Sequence, residues 1–156
     1  MIGQVIAATI GTVAFSVLFG VPRRYYPYCG LIGGASWLIY VLCTGFCSIY
    51  AATLLSTIVV VVLSRLTAVR KRCPVTVFLI PGIFPLVPGA HLYWTAYYVV
   101  TSDLGQALSH GYMAVKMAVA IVLGIVLVFE LPQKVFVPAR YWKKKKNEST
   151  PGGQNS

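Results

Sequence analysis

The sequence predicts an all-α integral membrane protein. It has five transmembrane helices, the fourth broken by proline and glycine, with the N-terminus outside and the C-terminus cytoplasmic. Three observations predict this. The chain is 58% apolar and only 10% charged, whereas a soluble domain carries about 25% charged residues. Its charges are segregated: residues 1–22, 25–64, 73–102 and 117–129 carry none. A spanning helix needs about 20 predominantly apolar residues, and these runs supply them. Finally, the basic residues fall on one side when five spans are counted.

Span 1 covers about residues 2–20. No basic residue precedes it, so it reads as a span rather than a cleaved leader. Spans 2 and 3 share the uncharged 40-residue run, at about 28–46 and 48–64, and turn near Thr44 and Gly45. Span 4 covers about 74–100 and span 5 about 111–131. The division is therefore a membrane domain over 1–131 and a basic, disordered cytoplasmic tail over 132–156.

The connections test the count. The first holds Arg23 and Arg24, and the third holds Arg65, Arg70, Lys71 and Arg72. The tail holds Lys134, Arg140 and Lys143 to Lys146, while the second and fourth connections hold no base. Twelve of the 13 basic residues thus share one side, which the positive-inside rule makes cytoplasmic. The net charge of +10 is then a topology signal and not a nucleic-acid footprint. Multiple spans and this asymmetry imply the plasma membrane.

Small residues allow close helix approach in lipid. Span 1 carries Gly3, Ala7, Gly11 and Ala14; span 2 carries Gly30, Gly33 and Gly34; span 5 carries Ala114, Ala118, Ala120 and Gly124. These read as packing faces, and the face around Gly34 is expected to meet a partner. Tyrosines and tryptophans near the ends suit interfacial belts. Tyr93 and Tyr97 lie one turn apart and are also candidate site residues. Cys29, Cys43, Cys47 and Cys73 read as small apolar packing residues; no metal or cofactor is expected.

Span 4 carries the chemistry. "FLIPGIFPLVPGAHLY" holds Pro81, Pro85 and Pro88 with Gly82 and Gly89. In a continuous helix each proline would orphan the carbonyl four residues back: Val77, Pro81 and Phe84. Such backbone persists at membrane depth only if buried in protein or lining a wet cavity. Half-helix N-termini suit a carboxylate, and freed carbonyls suit an ammonium. Together they suit a zwitterion. Pro81, Gly82, Pro85, Pro88, Gly89, Tyr93 and Tyr97 are therefore the candidate substrate-binding residues.

The stretches "PVTVFLIPGIFPLVPGAHLY" and "FGVPRRYYPYCGLIGGASWLIY" resemble the threonine/serine exporter family, in its second, small-subunit-type half. The resemblance covers about residues 10–131. It implies a five-span half that works with a second five-span subunit carrying a soluble N-terminal domain, the two related as inverted repeats. It also implies a heteromeric secondary transporter that exports small polar amino acids. A dicarboxylate exporter of the succinate type is the alternative, and a non-transporting scaffold subunit is the rival from another class.

The titratable candidates are few. Lys116 is the one base inside a span, about five residues in, and intramembrane ionisable residues default to a functional reading. At that depth it can also snorkel outward. His91 follows the break and His110 sits at the mouth of span 5; histidine exchanges protons near neutral pH. His91 and Lys116 are the coupling candidates. Asp103 is expected to cap or solvate the outer loop. The tail lysines are expected to attract anionic inner-leaflet lipid. No carboxylate pair, nucleophile triad or phosphate loop is present, so enzyme activity is not expected.

Overall fold

The computed structural model describes residues 2–130; the basic tail, with its expected lipid contact, lies outside the described residues. All regular elements among the described residues are helical. Helix α1 spans Ile2–Leu18. It ends where Gly20 takes a left-handed φ of 67°. The Gly20 and Val21 amides then donate back to Val17 and Ser16, which closes the last turn as a Schellman motif. A single 3-10 turn, Arg23–Tyr25, leads into α2, Tyr26–Thr44. Pro27 sits in its first turn, where a missing amide donor is harmless.

Helix α3 spans Ile49–Lys71, so the turn falls at Thr44 and Gly45 as expected. Ser48 caps α3 by accepting the Ala51 amide at 3.4 Å, and a left-handed Arg72 (φ 54°) ends it. The fourth region divides into α4, Thr76–Ile83, a 3-10 turn, Phe84–Leu86, and α5, Gly89–Val100. Its two halves differ in direction by 51°. Helix α6 spans Leu104–Glu130, and Asp103 caps it by accepting the Gln106 amide at 3.2 Å. By length and composition three helices can cross a membrane, or four if the bent pair is one span. At 17 residues, α1 is short for that test.

Helices α2 and α3 form the centre. Helix α1 packs on α2, α4 packs on both central helices, α6 packs on α3, and α5 packs mainly on α6. Glycines bring these partners close. A Cβ at Gly33 would overlap the Thr12 side chain, and one at Gly34 would strike the Thr9 hydroxyl. Gly124 meets Thr57 on α3 in the same way. The Gly34 face is therefore packed against α1 inside the chain, which corrects the expectation that it meets a partner. Gly3 and Gly11, by contrast, have open space where a Cβ would stand, and Gly3, Ala7 and Ala14 are exposed.

The core carries hydroxyls. Thr12, Ser16, Ser36, Thr53, Ser56 and Thr57 are fully buried. Most donate to a carbonyl three or four residues back: Thr12 to Ala8 at 2.7 Å, Thr57 to Thr53 at 2.8 Å. This satisfies a hydroxyl without leaving the helix. Ser56 instead donates across to the Ser36 carbonyl at 2.5 Å, joining α3 to α2.

Arg65 departs from the sequence reading. It was expected in a connection, but α3 continues to Lys71 and Arg65 lies inside it, buried at 7% exposure. Its guanidinium donates to the Val128 carbonyl at 2.8 Å and the Phe129 carbonyl at 3.3 Å. It also lies 4.5 Å over the Phe129 ring. A carbonyl has two lone pairs, so these two can each accept from the guanidinium. Arg65 thus ties α3 to the backbone of α6.

Candidate functional site: the broken helix

Each proline removes an amide donor, and the structure supplies a replacement for every carbonyl left behind. The Val77 carbonyl accepts the thiol of Cys29 on α2 at 3.7 Å. The Pro81 carbonyl accepts the Phe84 amide, and the Phe84 carbonyl accepts the Val87 amide at 3.2 Å. The tighter 3-10 pattern reuses these groups three residues on instead of four. The expectation of free carbonyls at these positions is therefore corrected: the backbone satisfies itself locally, apart from the thiol.

The candidate residues separate into three groups. Pro81, Gly82 and Pro88 are buried. Gly82 faces Ile32 and Val60, each 3.1 Å from where a Cβ would stand, so it lets α4 seat in the core. Pro85 is half-buried and lines a cavity at the break. Gly89, Tyr93 and Tyr97 belong to α5, which buries none of its residues. Tyr93 is 64% exposed and Tyr97 47%, and both flank Trp94 edge-on at 5.5 and 5.6 Å. They do not line the cavity that Pro85 lines.

That cavity has a volume of about 380 Å³ and lies between α1, α2 and the 3-10 turn. Gln4, Ala7, Gly11, Trp37, Phe84 and Pro85 contribute to its walls, and no lining residue is charged. The small residues of α1 create the room. The indole Nε1 of Trp37 is buried and has no acceptor. A buried donor left unpaired costs roughly 1–3 kcal/mol; this one is out of solvent's reach, so an acceptor would meet it only if the indole turned toward the cavity. Sequence reasoning missed Gln4 and Trp37. Their signal was available: Gln4 is the one side-chain amide in the uncharged first 22 residues, and Trp37 stands away from any span end.

The two coupling candidates lie elsewhere. Lys116 is at the thirteenth position of the 27-residue α6, because that helix starts seven residues before the expected residue 111. It is therefore near the helix middle and not one turn from its end. Its ammonium sits 4.0 Å from the Tyr112 ring and 5.0 Å from the Tyr50 ring. It borders a second cavity, of about 420 Å³, between α3 and α6. His91 meets His110 with their Nδ1 atoms 3.3 Å apart.

The model of the family described as threonine/serine exporter, ThrE, matches residues 4–130. This chain belongs to the threonine/serine exporter family. The match runs from Gln4 in the cavity wall to Glu130, the last described residue. A threonine/serine exporter family chain is a membrane transport protein, and the apolar helices agree with that. No curated protein and no solved structure matches the chain.

Proposed function

We propose that this chain is one membrane half of a secondary transporter that exports threonine and serine across the plasma membrane. The observation that carries the reading is the uncharged cavity at the helix break, with Trp37, whose buried indole N–H has no acceptor, in its wall, in a chain of this family. Transporters commonly bind substrate where discontinuous helices meet at the bilayer midplane. A small zwitterion would bring its polar side chain to Gln4 and, once the indole turns toward the cavity, its carboxylate to the Trp37 Nε1. A dianion would want fixed positive charge, and the cavity lining holds none; this favours the amino acid over the dicarboxylate.

The reading includes five passes, with α1 as the first and the bent α4–α5 pair as the fourth. It also includes an outside N-terminus, a cytoplasmic C-terminus and a second five-span subunit with a soluble domain. The outward small-residue stripe of α1, Gly3 to Ala14, supports a helix partner. Orientation has a direct check. In a background with Cys29 replaced by serine and the other cysteines by alanine, an impermeant thiol reagent should label Asp103→Cys from outside. It should leave Arg70→Cys and Lys144→Cys untouched, and labelling at 70 from outside would sink the topology.

The test of the site is Trp37→Phe, which keeps a ring and removes the donor. A hydrogen bond to a charged group contributes roughly 1.5–3 kcal/mol. Threonine efflux from preloaded cells, per membrane-inserted protein at subsaturating substrate, should fall about tenfold or more on that scale. The folded protein should be at least as stable, since an orphaned donor is gone. Unchanged efflux would remove Trp37 from the site. Succinate efflux that falls instead of threonine efflux would move the substrate to the dicarboxylates.

A further inference from the structure

Lys116 is midway along α6, but α6 begins well before α3 does. The two helices run the same way: Thr57 of α3 meets Gly124 of α6, and further on Arg65 meets Val128. On that register Lys116 reaches Tyr50, the second residue of α3. Its ammonium therefore stands level with the end of α3 where the chain turns, and not level with the middle of the bundle. Tyrosines gather where membrane meets water, and two of them, Tyr50 and Tyr112, surround this position.

The ammonium is held there but not neutralised. It sits 4.0 Å from the centre of the Tyr112 ring and 5.0 Å from that of Tyr50. Ring faces attract a cation but bring no counter-charge. Among the described residues no carboxylate pairs with Lys116, and the acids there are Asp103 and Glu130 alone. They lie 13 residues before it and 14 after it, roughly 20 Å either way at helical rise.

Beside the ammonium lies the groove of about 420 Å³ between α3 and α6. Among the described residues Lys116 is the one charge in its lining. Further along both helices its walls are apolar: Leu54 of α3, and Val119 and Leu123 of α6. Leu123 is seven residues past Lys116, roughly 10 Å deeper at helical rise. From the turn inward the order is thus cation first, then an apolar channel, which is the order of charge and hydrocarbon in a phospholipid. We propose that this groove binds an anionic phospholipid, with its phosphate on the Lys116 ammonium and an acyl chain along Leu54, Val119 and Leu123. A free phosphate would leave the channel unfilled, and an uncharged acyl chain would leave the ammonium without a counter-charge; the phospholipid meets both demands. Basic groups near a membrane surface attract anionic lipid. The site requires only that the chain spans a membrane, so it stands apart from the threonine and serine reading.

The test uses the full chain, delipidated in detergent, with native mass spectrometry counting bound molecules. Phosphatidylglycerol, phosphatidylcholine and glycerol phosphate are the probes, and the parent should bind the first most tightly. Lys116→Met keeps an unbranched stem and removes the charge. It should weaken the tightest phosphatidylglycerol site about tenfold or more, the scale of a lost charge-assisted hydrogen bond, while its lipid-free melting stays close to the parent's. Lys116→Arg should retain the site. Val119→Trp keeps the ammonium but fills the groove, and should weaken the same site. Arg70, Lys71 and Arg72, at the far end of α3, are the same in every variant, so their own lipid contacts cancel. Equal binding by the parent and Lys116→Met would overturn the site, as would phosphatidylcholine or glycerol phosphate bound as tightly as phosphatidylglycerol. A carbodiimide adduct in native membranes joining Lys116 to a protein carboxylate would also overturn it, since the occupant would then be a partner helix.

Discussion

Gly33→Leu is expected to abolish the folded state, while Gly3→Leu leaves it intact. Gly33 faces Thr12, which is fully buried and whose hydroxyl is committed to the Ala8 carbonyl at 2.7 Å. Even a Cβ at 33 would overlap the Thr12 side chain, so α1 and α2 must separate. Overpacking a well-filled core costs roughly 1–3 kcal/mol. Here the separation would also spread to Gly30 and Gly34, which meet α1 on the same face. Gly3 has nothing within 4 Å of the added atom. The measurement is thermal unfolding of the purified chain in one detergent. The milder Gly33→Ala should melt lower, and adding Thr12→Ala should recover part of the loss, since neighbours that share a clash are coupled. Equal melting of Gly33→Leu and the parent would mean that the α1–α2 contact does not hold the fold.

The double change Pro85→Ala, Pro88→Ala is expected to leave stability intact and remove most transport. The two new amides could donate to the Pro81 and Phe84 carbonyls in the helical i−4 pattern, displacing the 3-10 bonds from Phe84 and Val87 that now use them. Removing interior prolines also removes ring clashes, so α4 could run straight into α5. The 51° bend would shrink, and Phe84 and residue 85 would leave the cavity wall. In a preorganised site a shift of about 1 Å can cost on the order of a hundredfold in rate, and this shift would be larger. Threonine efflux per membrane-inserted protein decides the matter. If efflux per protein stays whole, the bend is architecture alone and the cavity beside it is not the substrate site.

Much of this was legible in the sequence because lipid is a strict solvent. Uncharged runs mark apolar helices, so the Thr44–Gly45 turn and the break at 81–89 could both be placed from local chemistry. What escaped depends on helix register. Nothing near Pro81 says that Cys29, 48 residues earlier, will donate to Val77. Nothing in α1 alone says that Gln4 will share a wall with Trp37, or that Gly34 will face inward. Arg65 looked like a loop residue because it is the first charge after a long apolar run. It proved helical, and the Val128 and Phe129 carbonyls of α6 give its buried guanidinium partners. The start of α6 was set too late, at residue 111, because the polar stretch after Asp103 lies outside the apolar run. The Asp103 cap starts the helix there instead.

The Cys29 thiol has a consequence for how this sequence can drift. Val77 lost its helical donor to Pro81, and the bond from Cys29 at 3.7 Å is a weak one from a weak donor. The two positions therefore form a single evolutionary unit. With Pro81 in place, position 29 admits serine, which still donates, but alanine strands a carbonyl in the core. Once residue 81 regains an amide, position 29 is released to any small apolar residue. Descendants of this chain should thus show the two sites changing in order, 81 before 29, with the reverse order passing through a less stable intermediate.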